Sequence, residues 1–252
     1  MSHMIREVGS KILITTRSCN VSSIVKTVSD ISLQKLSDDD SLRMFVHHAL
    51  GARDFSDHLD LKETGLQIVR KCDGLPLATK TIGGLLHGRM DCDAWKDILE
   101  SEIWNLPEAK SGIIPALWLS YCHLSSQLKQ CFPYCSIIPK DYEFTEQEII
   151  LLWMAEGFLN EANTTQTEDL SRKYFKELVS RSFFQVSRRK KSHFVMHNLI
   201  NDLAQSVAGK ICFRMEGNEQ MKYPRHVRHS SYIAGQCDGI KQFQTFYSTT
   251  SV

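Results

Sequence analysis

The sequence predicts a mainly α-helical protein that opens on a remnant of a parallel α/β unit, continues as a helical bundle and ends in a winged-helix domain. Three observations carry that reading. Residues 37–108 repeat apolar positions at helical spacing through several successive segments. Residues 113–207 run through further helices into two short apolar stretches split by a basic tetrapeptide, the pattern of helices followed by a wing. "KILITT" at 11–16 sets Ile12, Leu13 and Ile14 side by side without alternation, as in a strand covered on both faces. Such a strand is not stable alone, so the segment before Ser37 is expected to be loosely packed.

The first helix follows in "LSDDDSLRMFVHHALG". Ser37 can cap it, Asp38 to Asp40 suit the positive end of its dipole, and Leu42, Phe45, Val46, Ala49 and Leu50 form one stripe before Gly51 stops it. A second helix, roughly 60–72, carries Leu61, Gly65, Leu66, Ile68 and Val69. "CDGLP" then breaks the chain sharply at Gly74, and Pro76 restarts it in the first turn of a third. That helix holds Gly83 and Gly84, each costing about 1 kcal/mol relative to alanine, which close helix contact would explain. "DAWKDILESEIW" closes the bundle with Trp95, Ile98, Leu99 and Ile103 on one side.

Two helices are predicted in "IIPALWLSYCHL" and "SQLKQCFPYCSI", the second ended or kinked by Pro133, with "IPKDYEF" as a loop. In "TEQEIILLWMAEGFL", Thr145 and Glu148 fit a capping box, Phe144 and Ile149 a hydrophobic staple, and Gly157 a stop. "EDLSRKYFKELVSRS" gives the next helix. "SFFQVS" and "HFVMH" can pair as a hairpin around "RRKK", and "NLINDLAQSVAG" returns to helix. Beyond "KICFRME" the text is irregular, with "VRHSSYI" as a possible strand. The boundaries expected are 1–36, 37–108, 109–215 and 216–252.

With 42% hydrophobic and 23% charged residues the chain is too apolar for disorder. A net charge of +1 supplies no global field toward nucleic acid or an acidic membrane, and only residues 188–191 offer a local patch. The eight cysteines form no C-x-x-C pair, and Cys131 and Cys135 stand at helical spacing, which reads as buried thiols in a reducing cytosol. The apolar run at 149–155 is far too short to span a bilayer. No G-x-S-x-G, H-E-x-x-H or Cys/His signature supports stand-alone catalysis.

Three residues are candidates for a site. Arg17 follows the apolar run, and ligands of open parallel sheets bind beyond the strands' carboxyl ends, where a guanidinium can grip phosphate oxygens; it also reads as a surface arginine. Pro76 reads as helix punctuation. His197 stands beside the helix start that Asn198 is expected to cap before Leu199, where free N–H groups welcome an anion; it also reads as a packing residue beside Met196, Leu199 and Ile200.

In register along the chain, "GSKILITTR", "LSDDDSLRMF", "GLPLATKTIGGLL", "CFPYCSIIPKDYEFTEQEIILLWMAEGFL" and "VMHNLINDLA" resemble the successive motifs of plant nucleotide-binding (NB-ARC) leucine-rich-repeat disease-resistance proteins, in the subclass with an N-terminal coiled coil. The resemblance covers residues 9 to about 207. It implies a remnant of the nucleotide-binding subdomain, a helical ARC1 bundle, a winged-helix ARC2 domain and the start of the repeats. It also implies an ADP/ATP switch in innate immunity: ADP locks the subdomains together, and exchange for ATP lets them rotate and oligomerise. Arg17 then senses the phosphates, Pro76 lies against adenine and His197 reaches the β-phosphate.

Asn198 departs from the aspartate usual in that family. A G-x-x-x-x-G-K-[ST] loop and an acidic strand end for magnesium are missing, and Gly83–Gly88 lacks the Lys-Ser/Thr pair. The expectation is a piece of the switch that supplies the lid half of an ADP pocket, holds no nucleotide alone and is not itself an enzyme. Its partners would be the nucleotide-binding and repeat domains of the full-length protein, in the cytoplasm or peripherally at the plasma membrane once active. The rival reading is a DNA-binding or protein-interaction winged helix, with 188–191 as a basic wing and Arg172, Lys173, Lys176 and Arg181 on the adjacent helix.

Overall fold

A computed structural model describes residues 11–16, 18–51, 54–106, 114–159, 164–216 and 226–233. The chain divides into two units, 1–34 and 35–252. In the first, residues 11–16 take no regular structure, and Leu13 is 92% exposed. The strand expected there is not formed, because none of the described residues supplies a neighbouring strand and an unpaired strand leaves its backbone groups to water. A short helix, α1 (Cys19–Val25), follows, with the Ser18 hydroxyl accepting from Val21 N–H and no residue buried.

The second unit holds two apolar cores. Around the first stand α2 (Asp38–Leu50), α3 (Leu59–Lys71), α4 (Pro76–Leu85) and α5 (Cys92–Glu100), the last continuing into a 3-10 turn, Glu102–Asn105. Ser37 caps α2 by accepting from Asp40 N–H, and Gly51 ends it in the left-handed region at φ 66°. The core gathers Phe45, Leu61, Ile68, Ile82 and Trp95, and Phe45 meets the Trp95 ring edge-on at 5.4 Å.

Gly83 and Gly84 have separate reasons in α4. A Cβ on Gly83 would sit 2.7 Å from the Cβ of His48 on α2. One on Gly84 would sit 2.3 Å from the Ser180 carbonyl oxygen, at the end of the long helix of the winged-helix domain. The two glycines therefore let α4 touch its bundle neighbour on one side and the next domain on the other.

The second core is assembled by α6 (Pro115–Cys122), α7 (Leu128–Tyr134), α8 (Glu146–Ala155), α9 (Thr164–Ser180) and α10 (Asn198–Ala208). Helix α6 serves both cores: Ala116 and Leu119 join the bundle, and Leu117 joins the winged-helix core. Pro133 lies in the last turn of α7, which gives way at once to a 3-10 turn, Cys135–Ile137. The Thr145/Glu148 capping box starts α8.

Strands β2 (Phe184–Val186) and β3 (His193–Met196) pair antiparallel with Val186 opposite Phe194. A two-residue strand, β1 (Phe144–Thr145), adds to the other edge of β3 and replaces part of the expected loop. Buried Phe184 and partly buried Phe194 pack on Phe175 of α9 with ring centroids 5.3 and 4.8 Å apart, and Phe144 meets Phe184 at 5.1 Å. Beyond α10, β4 (Cys212–Glu216) and β5 (His229–Ile233) pair in parallel, Arg214 opposite Ser231. This pairing across a long connection is what the irregular text concealed.

Candidate functional site

Of the three sequence candidates, Arg17 lies outside the described residues. Pro76 and His197 are both exposed, and each stands at the start of a helix. Pro76 is the first residue of α4, reached through Gly74 at φ 64°. The turn is held from outside the bundle helices: Leu36 N–H donates to the Gly74 carbonyl at 2.9 Å, and Lys35 pairs with Asp73. A Cβ on Gly74 would meet the Leu36 carbonyl oxygen at 2.8 Å, so glycine is needed for space as well as for its dihedral. Leu77, the residue after Pro76, enters the same apolar cluster as Ile200 and Leu203 of α10.

At His197 the structure corrects the expected cap. Asn198 is the first helical residue of α10, and His197 is the N-cap. Its Nδ1 accepts from Leu199 N–H at 3.1 Å, and its carbonyl accepts from Ile200 and Asn201 N–H, both at 2.9 Å. An imidazole nitrogen with a lone pair takes the place that a carboxamide oxygen usually fills. Accepting at Nδ1 requires that nitrogen to be unprotonated, so the neutral ring carries its hydrogen on Nε2. The cap thus fixes both the tautomer and the direction of the ring at a positive helix end. The ring is exposed, while its neighbours Met196 and Ile200 are buried.

Below the exposed histidine, α10 is anchored by a polar network that sequence reading did not find. Buried Asn201 donates from Nδ2 to the Ile138 carbonyl at 3.0 Å. Arg214 of β4 donates from Nη1 to the carbonyls of Ser136 and Ile138 and to Asn201 Oδ1, at 2.8–3.1 Å. Ser231 of β5 donates to the Ile137 carbonyl at 2.7 Å. Three successive carbonyls at the end of the 3-10 turn are thereby satisfied by side chains that follow α10 or lie within it. Lys140 pairs with Asp202 at 2.5 Å on the same helix. The only local hint in the sequence was a polar Asn201 on the apolar stripe.

A second anchor joins the two cores. Arg181, 8% exposed, donates to the carbonyls of His123 at 3.1 Å and Ser120 at 3.4 Å, and pairs with Glu177 at 2.7 Å. Burial lowers its proton affinity from the ordinary arginine range, and Glu177 works against that. Arg172 is held by Glu168 at 2.7 Å and Gln147 at 3.0 Å. Two of the four helix cations that a DNA-binding reading would add to the wing are therefore engaged in bonds within the chain.

Among the described residues no group of histidine, cysteine, aspartate and glutamate could hold a metal ion, and no helix is long and apolar enough to cross a membrane. Cys72, Cys131 and Cys135 are buried, as expected. Cys92, Cys122 and Cys212 are only partly covered and Cys19 is exposed, which the expectation of buried thiols did not foresee.

Residues 137–204 match the family model described as the disease resistance protein winged helix domain. The chain is 38% identical over 242 residues to disease resistance protein RGA2 of Solanum bulbocastanum, covering 95% of this chain and 24% of that protein. It is 40% identical over 226 residues to disease resistance RPP13-like protein 1 of Arabidopsis thaliana, covering 89% and 21%. With disease resistance protein RPP13 of Arabidopsis thaliana the identity is 34% over 207 residues, covering 80% and 24%. The chain spans between a fifth and a quarter of the length of these relatives.

Proposed function

Given that the chain is a plant disease resistance homologue carrying the winged-helix domain of those proteins, we propose that it forms the lid half of an ADP/ATP-dependent switch in plant immune defence. The observation that carries this reading is the N-cap imidazole of His197, exposed at the start of α10 and oriented by Leu199 N–H. A nucleoside diphosphate supplies two phosphoryl groups whose oxygens need donors. His197 donates to a phosphate oxygen at the start of α10, and Pro76 offers an apolar, donor-free surface to the adenine ring. By resemblance to the family motif, Arg17 is a further candidate for the phosphates. The 252 residues contain no G-x-x-x-x-G-K-[ST] loop, so these side chains fit the cover of a nucleotide pocket and not its floor. Its partners are the nucleotide-binding and leucine-rich-repeat domains of the complete protein.

A chimera tests this, with these residues replacing the corresponding stretch of the Solanum relative and ADP binding followed by calorimetry. His197→Ala is expected to weaken ADP about tenfold, the worth of one hydrogen bond to a charged group. Pro76→Ala is expected to weaken it less. Unchanged affinity in both variants would remove the lid reading. The 252-residue chain alone is expected to show no saturable ADP binding in the micromolar range.

A further inference from the structure

The hairpin between β2 and β3 carries four consecutive cations, Arg188, Arg189, Lys190 and Lys191, all exposed, and directly after them the exposed Ser192. Nothing in the nucleotide-lid reading uses this tip. Its two serines stand in opposite situations. The Ser187 hydroxyl is partly buried, bonded to Glu143, and accepts from Arg189 N–H at 3.0 Å and Lys190 N–H at 3.2 Å. No hydrogen bond among the described residues holds the hydroxyl of Ser192.

Ser192 also sits at φ 61°, in the left-handed region that a β-carbon disfavours. Val186 opposite Phe194 is the last pair of β2 and β3, and Val186 is 63% exposed; beyond it the tip is held by Ser187 N–H on the His193 carbonyl at 2.8 Å and by the Ser187 hydroxyl, so opening it breaks those few bonds and leaves the core side chains in place. A segment that opens at small cost can be drawn out straight by an enzyme that needs an extended substrate.

We propose that Ser192 is a phosphorylation site for a protein kinase whose acidic substrate groove selects arginine on the N-terminal side of the acceptor. Arg189 lies three residues before Ser192 and Arg188 four, so a groove lined by carboxylates meets two guanidinium groups able to bind bidentately. In the reaction Ser192 Oγ bonds to the γ-phosphorus of ATP, the bond from that phosphorus to the β-γ bridging oxygen breaks, ADP leaves, and the hydroxyl proton passes to the kinase's catalytic carboxylate. The product carries a charge of roughly −1.5 to −2 beside the four cations. Lys190, now 3.7 Å from Glu143, gains a stronger anion within reach, and the charge carried by residues 188–192 falls from +4 to about +2.

The native 252-residue chain is incubated with magnesium-ATP and the catalytic subunit of cAMP-dependent protein kinase as the arginine-selective probe, and chymotryptic peptides are mapped by mass spectrometry. One phosphate at Ser192, none at Ser187, its loss in Ser192→Ala, and a fall of about tenfold in kcat/KM for Arg189→Ala support the proposal. Absence of phosphate at Ser192, phosphate at Ser187 instead, incorporation only after heat denaturation, or an Arg189→Ala variant modified as fast as the parent would each overturn it. Both substituted residues are exposed, and far-UV circular dichroism checks that the variants keep the parent fold.

Discussion

At the scale of single residues, space and charge make separate demands. Gly84 stands where any β-carbon would strike the Ser180 carbonyl oxygen at 2.3 Å and Arg181 Cα at 2.8 Å, both backbone atoms that cannot swing aside. Gly84→Ala is therefore expected to destabilise the protein by about 1–3 kcal/mol despite alanine's better helix propensity, read as a lower urea midpoint. His48 faces a different constraint. Burial, then the positive neighbours Lys80, His47 and His87, hold its imidazole below the ordinary histidine value of 6.5. A base so placed is protonated more readily in the unfolded chain, so its contribution is complete above about 6.5 and is lost as pH falls through the lowered folded value. Stability should begin to drop as pH falls below about 6.5, and His48→Gln should flatten that slope. The cysteines divide the same way. Burial pushes the Cys72 and Cys131 thiols up to about 12, whereas Cys19 is exposed. Dithionitrobenzoate should label Cys19 in the native protein and reach Cys72 and Cys131 only on unfolding.

Elements show why parts of the molecule were legible in the sequence. Helix ends are specified by residues three or four apart, so Ser37, Gly51, Gly74 and the Thr145/Glu148 box could be read directly and the structure realises each of them. Thr145→Ala should cost about 1 kcal/mol of stability by removing the acceptor for Glu148 N–H, which a thermal melt would report as a modest fall in Tm. Features set by distant partners were not legible. Strand β1 is two residues long and exists through its pairing with β3 some fifty positions away, and the parallel β4–β5 pair depends on a crossover that no turn signal marks. Arg181 looked like a surface cation because the carbonyls that it binds belong to α6 and to its C-cap His123, some sixty positions away. The histidine cap was missed because Asn198, a better capping type, stands next to it.

For the whole molecule the account rests on rigidity beneath an exposed ring. Helix α10 is fixed by Asn201 and Arg214 to the 3-10 turn, and α9 is fixed by Arg181 to α6, so His197 is presented by a frame rather than by a loop. Imidazole nitrogen NMR of the histidine-labelled chimera tests this presentation most directly. On adding ADP, the account predicts that the Nε2 resonance of His197 shifts as its N–H engages a phosphate oxygen, while Nδ1 keeps the signature of an acceptor bonded to Leu199. A His197 ring whose two nitrogen resonances stay unchanged with ADP bound would contradict it.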